Sequence, residues 1–588
     1  MYSSAPSAGP FGLNHNTLPY LLQQRATHAA HDRAYCFPEH GQAYTWGQLW
    51  HEVRVLAEGL LKLDIKPGDR VAVLLEGRVE LILSLFAVAS VGAVVVPLSP
   101  YSKLEELKTY FLDARPVALL MGTAAAQLPA ASLVAHLEDA AGWVPRHVFV
   151  HGAPAPVVAP FRPFSELLDF DNRLADADFW RACAAVHAAA PSFLLYTSGT
   201  TGVPKGVLRS TASFLVADGP VAGWGGRAKT AVSRLADRYT NRFAVLSLLP
   251  LYHLGGIGML FTSLKMANVR TVLLARFHPV VALHTVAAER CKFLIGTPYM
   301  LQAMMAAQPT QRVNLDAVLG VVFASAAVSS AIIARVTKEL KNVYFFTVSY
   351  GSSEAGAVAN GTCLVARQPN VVVALFLRLL RSINLLNGLI PFEAFSQMPY
   401  SICGKVDKAV EVQVRDVQTG ALLPPGQPGE IIIRSHRVMR YAHAQLVQES
   451  FLEDGGWYRS GDIGYVDAQG FLIISDRIKR LISRGGEKIS PVEIEGVLLR
   501  QAGVAEAFVV GVPDELYGEQ IGAALVAEAG IRLDLPALRA ALAATLSRFK
   551  VPKYLVELPA LPVTASGKVA SEEIKQLVSQ KISAAQYA

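Results

Sequence analysis

Cysteine is scarce here: five residues, Cys36, Cys183, Cys291, Cys363 and Cys403, in a chain of 588. None has a partner at metal-ligand spacing, which argues against a zinc site and against a disulfide framework, and fits a reducing compartment. Charge is also sparse, at 17% of residues. No run of five basic residues occurs, so a nucleic-acid partner is not expected. The net charge of +7 is mild for this length and suits small anions. No unbroken apolar run has spanning length. The stretch from Ile82 to Leu98 is interrupted by Ser and Gly and reads as a buried helix followed by a strand. The first sixteen residues, MYSSAPSAGPFGLNHN, lack the basic start and apolar core of a secretory signal. A cytoplasmic enzyme is the expected class.

What is abundant is core material. Hydrophobic residues make up 52% of the chain, and its length exceeds what one core can organise. Val71–Leu75 is an apolar run after the turn signal Lys66-Pro-Gly-Asp, and a helical stretch and a second apolar run ending at Pro97 follow it. That alternation predicts an α/β fold with parallel-rich sheets. Further strands are expected near 243–249, 271–274, 293–295, 321–323 and 343–347. The Pro-, Ala- and Val-rich segment 144–163 reads as a surface excursion. A change of character near Asp476 divides a large N-terminal domain, 1–475, from a small α+β domain, 476–588. That domain has its own strand at 507–512 and a helix at 536–546, with Pro536 in the helix's first turn.

The segment 371–395 is apolar, yet Arg378, Arg381 and Ser382 fall on one side of a helix. It reads as a packing insert or as a contact with a membrane or an apolar partner.

The densest signal is LLYTSGTTGVPKG, residues 194–206. A strand ends in Thr197, Ser198, Thr200 and Thr201, whose hydroxyls can wrap an anion. Gly199, Gly202 and Gly206 let the backbone approach it closely. Lys205 adds a point charge. No hydroxyl follows the lysine, so this is not the GxxxxGK[ST] nucleotide loop.

The intact string resembles the phosphate loop of the adenylate-forming superfamily, which includes acyl- and aryl-CoA ligases, peptide-synthetase adenylation domains and beetle luciferases. Further segments resemble that family's motifs in the same order. In Tyr350-Gly351-Ser-Ser353-Glu354 the resemblance implies a tyrosine stacked on adenine, a hydroxyl facing the α-phosphate and a glutamate that holds Mg²⁺. In Trp457-Tyr-Arg-Ser-Gly-Asp462 it implies an aspartate on the ribose. In Asp476-Arg477-Ile-Lys479 it implies a hinge at 476–480, with Arg477 toward the ribose and Lys479 at the pivot. In the Arg484–Glu495 loop it implies that Gly485 and Gly486 line a channel for the pantetheine arm of coenzyme A. In Thr564-Ala-Ser-Gly-Lys568 it implies the catalytic lysine of a mobile lid.

Leu249-Pro-Leu-Tyr-His253 resembles the substrate-gating segment, with His253 a gate or a core histidine beside Tyr252. The apolar run after it favours a plain carboxylic acid over an amino acid. Thr297-Pro-Tyr299 and Ala324-Ser-Ala-Ala327 resemble the acyl-pocket walls. There Ser325 and Val328 replace a glycine and a proline, which places long straight-chain acids in doubt.

The resemblance implies a large N-terminal domain with a β-barrel-like subdomain and a small mobile lid. It implies ATP-dependent activation of a carboxylic acid and transfer to the thiol of CoA. The alternatives are transfer to a carrier protein or an amine, a luciferase-like oxygenase, and a non-catalytic nucleotide-binding protein. Lys568, Glu354, Thr200, Lys205 and His253 are the expected catalytic groups. ATP, Mg²⁺ and coenzyme A are the expected cofactors.

Overall fold

The computed structural model describes residues 10–152, 160–169, 174–197, 205–214, 243–265, 269–326, 328, 330–365, 389–390, 401–441, 450–452, 456–485, 487–528, 530–564 and 568–584. The chain forms two compact units. One comprises 1–295 with 351–357 and 435–449; the other comprises 296–350, 358–434 and 450–588.

In the first unit an eight-stranded sheet runs in the order Arg440–Tyr441, Lys205–Ser210, Pro191–Thr197, Val94–Pro97, Arg70–Leu74, Ala118–Gly122, His147–His151 and Phe161–Pro163. From Pro191–Thr197 onward all neighbours are parallel. The apolar runs are continuous rather than alternating because both faces of a parallel sheet are covered. Helix Val79–Ser90 shows this most clearly. Every residue except Glu80 is buried, and the helix packs on strands of both sheets of this unit. A helix apolar on all sides can only sit in a core. The second sheet of the unit contains the parallel neighbours Arg33–Phe37, Val269–Leu273 and Phe243–Ser247, the last also paired with Phe293–Ile295.

The expectation for 144–163 is corrected. His147–His151 is a parallel strand with Val148, Phe149 and Val150 buried. Its three-residue apolar run is too short to show a period, and burial on both faces removes any alternation.

In the second unit Gly320–Phe323 pairs in parallel with Phe345–Val348. The antiparallel strands that follow pair as Ala359–Asn360 with Ser401–Val406, then Phe471–Arg477, Tyr458–Val466, Gly429–Arg434 and Glu411–Arg415. The C-terminal segment builds its own sheet from Glu487–Ile489, Ile482–Arg484, Gly518–Ala527, Val504–Asp514 and Tyr554–Glu557. Alternation along the central strands separates two small cores. Val509, Ile521 and Leu525 meet Ile494, Leu538 and Leu542 on one side. Phe508, Val510 and Val512 meet Ile574 and Val578 on the other. Each such buried side chain contributes about 1.5–3 kcal/mol. Helix Leu535–Thr545 starts where Asp534 accepts a hydrogen bond from Ala537 N at 3.0 Å, with Pro536 in its first turn.

All five cysteines are buried and none is in a disulfide. Among the described residues no helix is long and apolar enough to cross a membrane. Apart from the backbone of Leu389–Ile390, the segment 371–395 lies outside the described residues.

Candidate active site

Strands Pro191–Thr197 and Lys205–Ser210 form an antiparallel hairpin whose last pair is Thr197 opposite Lys205. The two described ends of the phosphate loop are therefore held side by side by the ladder. Ser198, Gly199, Thr200, Thr201 and Gly202 lie outside the described residues. Thr197 Oγ1 donates to Glu354 Oε1 at 3.3 Å, which places the expected metal-holding carboxylate on the loop's first residue.

The turn that carries Glu354 is fixed from three directions. Met439 N donates to Glu354 O at 2.9 Å. Arg209 Nη1 reaches Ser353 O at 3.5 Å, and Arg437 Nη1 donates to Ala357 O at 3.2 Å. Gly351 has no alternative, because a Cβ there would lie 2.2 Å from the carbonyl oxygen of Gly356. Arg209 and Arg437 are each 1% exposed. Burial pulls the Arg209 guanidinium down to about 10, the Glu354 carboxylate opposes this, and Arg437 adds to it.

In the other unit a second cluster centres on Asp462, which is buried in strand Tyr458–Val466. Tyr350 OH donates to Asp462 Oδ2 at 2.5 Å, and Arg477 Nε donates to Oδ1 at 2.8 Å. Ser460 Oγ accepts from Asp462 N at 3.0 Å and donates to Ile431 O at 2.7 Å. Burial, and then the charge of Asp462, raise the Tyr350 phenol well above its ordinary range. Tyr350, more than a hundred residues away in sequence, thus joins Asp462 and Arg477 in one polar constellation: an aromatic ring, a carboxylate and a guanidinium.

The segment expected to be a hinge is tied down at its first residue. Asp476 Oδ2 accepts from Ser490 Oγ at 2.7 Å and from Val492 N at 3.4 Å, so it caps helix Pro491–Leu498. Lys479 lies in the short turn Ile478–Arg480. Gly485 is exposed at φ +58°, a conformation that favours glycine, and its N donates to Tyr517 O at 2.8 Å. Gly486 lies outside the described residues. Lys568 is exposed; its N–H donates to Thr564 Oγ1 at 3.3 Å and its carbonyl accepts from Thr564 N at 2.7 Å.

His253 leads into helix Leu254–Lys265 and packs edge-on against Tyr252, with ring centroids 4.9 Å apart. Thr297 is buried, and its side chain caps helix Pro298–Gln311 by accepting from Met300 N at 3.2 Å. Ser325 holds φ at +67°, the left-handed region that glycine occupies without strain. Ala327 lies outside the described residues.

A sequence model of the family described as AMP-binding enzyme matches residues 22–441, and one of its C-terminal domain matches 493–568. The chain belongs to this family. It is an AMP-forming ligase. Indoleacetate–CoA ligase of Aromatoleum aromaticum is 28% identical over 93% of this chain and 95% of the relative. Sulfoacetate–CoA ligase of Cupriavidus necator is 30% identical over 94% of this chain and 96% of the relative. The fold resembles that of the anthranilate CoA ligase AuaEII, solved with anthranoyl-AMP. The TM-score is 0.74 at 20% identity, over 97% of this chain and 98% of that one.

For an AMP-binding enzyme, the residues that sequence reasoning missed are those that hold the motifs in place: Arg209, Arg437 and Ser460. The only signal for Arg209 was a charge inside the short strand KGVLRS.

Proposed function

We propose that this enzyme joins a carboxylic acid to the thiol of coenzyme A at the expense of ATP. A carboxylate oxygen attacks the α-phosphorus and pyrophosphate leaves; the thiol sulfur then attacks the acyl carbon and AMP leaves. The observation that carries this reading is the hairpin end, where Thr197 faces Lys205 and donates to Glu354. It gathers a cation, a hydroxyl and a carboxylate at one loop.

Both partners of the first step are anions, so positive charge must be supplied where they meet. Lys205 and the hydroxyls of Thr200 and Thr201 hold the departing pyrophosphate, and Lys568 bridges the carboxylate and the α-phosphate. Glu354, with phosphate oxygens and water completing the shell, fits a Mg²⁺ ion, which binds through one or two carboxylates plus substrate phosphates. The Mg²⁺ neutralises phosphate charge when bound. Asp462, Tyr350 and Arg477 hold the nucleoside. In the second step Gly485 and Gly486 give the pantetheine arm a path without side chains, and the 476–588 segment turns at 476–480 to present them.

The acid is a compact or ring-bearing one. Ser325 adds bulk where the family's pattern has glycine, and relatives include enzymes named for indoleacetate and ferulate. The test is a screen of carboxylic acids for pyrophosphate release, with and without CoA. Acid-dependent release followed by CoA-dependent AMP release supports the reading. Release of pyrophosphate with no discharge by CoA moves the acceptor to a carrier protein or an amine. No release with any acid refutes the reading.

A further inference from the structure

Residues 504–506 break the ladder of the C-terminal sheet. Val504 pairs with Ala527 and Glu506 with Val526, so Ala505 is an extra residue on its strand. A bulge of this kind leaves the extra residue unpaired and bends the strand. The carbonyl of Ala505 is taken up from outside the sheet. Gln302 Nε2 and Arg335 Nη1 both donate to it at 2.5 Å, and Arg335 Nη2 donates to Val504 O at 2.8 Å. Helices Pro298–Gln311 and Ser330–Glu339 thus form a seat for the bulge.

The next residue works against the seat. Glu506 Oε2 is sealed from solvent and has no hydrogen-bond partner among the described residues. Arg335 attracts the carboxylate, yet its hydrogen bonds go to the two carbonyls and its ion pair, at 3.4 Å, to Glu528. Tyr299, one turn before Gln302, also feels the Glu506 charge, and its phenol offers no positive charge in return. A sealed carboxylate oxygen without a partner is costly, and protonation removes that cost. Once the segment leaves its seat, water reaches the carboxyl and the charge is no longer penalised. Undocking and ionisation are therefore linked. Burial raises the seated carboxyl more than Arg335 lowers it. The seat holds fully below the ordinary Glu value near 4.5 and weakens as pH rises through the seated value.

We propose that Glu506 is a proton-controlled release for the C-terminal segment: protonated, it lets 504–506 stay seated on the two helices, and ionised, it drives them off. The inference rests on the reading that the 476–588 segment turns. It goes beyond that reading by naming the group that sets when the segment lets go.

The test is a distance measurement by double electron–electron resonance on the full chain. Nitroxides are placed at Lys338→Cys and Ala502→Cys, both exposed positions; the five native cysteines are buried, so labelling is confined to the introduced pair. At pH 5 one short distance is expected to dominate. Between pH 5 and pH 8.5 the ratio of longer to short distances is expected to rise by about fivefold or more, as one linked proton allows. In Glu506→Gln that ratio is expected to stay within about twofold over the same range; Glu506→Met serves if the glutamine variant does not fold. Arg335→Ala removes two of the three donors and is expected to favour the longer distances at both pH values. A glutamine variant that changes as much as the parent overturns the proposal. If the longer distances appear in Arg335→Ala but pH has no effect on the parent, the inference alone falls. If every protein shows one fixed distance at every pH, the turning of the 476–588 segment falls and the inference falls with it.

Discussion

Arg477 stands directly across the antiparallel ladder from Asp462, and its Nε donates to Oδ1 at 2.8 Å. Tyr350 OH occupies the other oxygen at 2.5 Å. Each oxygen of the carboxylate is thus engaged by a side-chain donor and keeps a second lone pair that a ribose hydroxyl can use. The two contributions of Tyr350 separate on that basis. Tyr350→Phe keeps a ring for adenine and releases Oδ2 for a hydroxyl, so its KM for ATP is expected within about threefold of the parent. Tyr350→Ala removes the stacking surface, worth about 1–3 kcal/mol per base, and is expected to raise KM tenfold or more. Asp462→Ala loses charged hydrogen bonds worth about 1.5–3 kcal/mol each and is expected to raise KM by ten- to a hundredfold. A Phe variant as weak as the Ala variant would show that the phenol, not the ring, is what matters.

A clasp fastens the C-terminal segment to the helices at 298–339. Arg335 Nη1 and Gln302 Nε2 both donate to Ala505 O at 2.5 Å, and Arg335 Nη2 donates to Val504 O at 2.8 Å. Lys568 is solvent-exposed, and on the proposed two-step reading the clasp serves the thiol-transfer step. Arg335→Ala is expected to leave pyrophosphate formation within about threefold and to slow thiol transfer from a supplied acyl-adenylate by about tenfold. That corresponds to one or two charged hydrogen bonds at a half-exposed site. Lys568→Ala should give the opposite pattern, with adenylate formation down by about 10²-fold or more and thiol transfer spared. Single-turnover assays of each half-reaction decide between this split and a common loss, which would refute it.

Glu506 lies beside the clasp with Oε2 unpartnered among the described residues. Burial raises its carboxyl above the ordinary value, and Arg335 only partly opposes this. The folded state therefore holds the proton more tightly than the unfolded state. The stability this gives is complete below the ordinary Glu value near 4.5 and is lost as pH rises through the folded value. Glu506→Gln cannot ionise. Its apparent Tm is expected to match the parent at pH 4 and to exceed it by about 1–2 °C at pH 8. A variant less stable than the parent at pH 8 would mean that the pairing with Arg335 outweighs the burial.

The parts of this molecule legible in sequence are those with local signatures. The strand that ends at Thr197 reads from its apolar run, and the strings around Tyr350 and Asp462 read through their resemblance to the family's motifs, taken together rather than singly. Strands at 243, 293 and 320 show as apolar runs because parallel sheets bury both faces. What stayed hidden is tertiary. Arg209 and Arg437 hold backbone carbonyls of a turn more than 140 and about 80 residues away, and no local pattern announces such a partner. Strand Phe345–Ser352 runs further than its apolar residues suggest, because the ladder continues through the polar residues that carry the site.

Ser325 closes the strand Gly320–Phe323 region with φ at +67°. A side chain there costs about 1 kcal/mol or more relative to a relaxed conformation. The unfolded chain gains freedom when glycine is introduced, which takes back part of that relief. Ser325→Gly is therefore expected to raise apparent Tm by about 1 °C, and Ser325→Ala, which keeps the Cβ, to leave it unchanged. If the serine also narrows the acyl path, the glycine variant lowers KM for a bulkier acid while kcat/KM for the native-sized acid stays level. The alanine variant does neither. Strain without selectivity would appear as the Tm change alone, and it would remove Ser325 from the acyl wall.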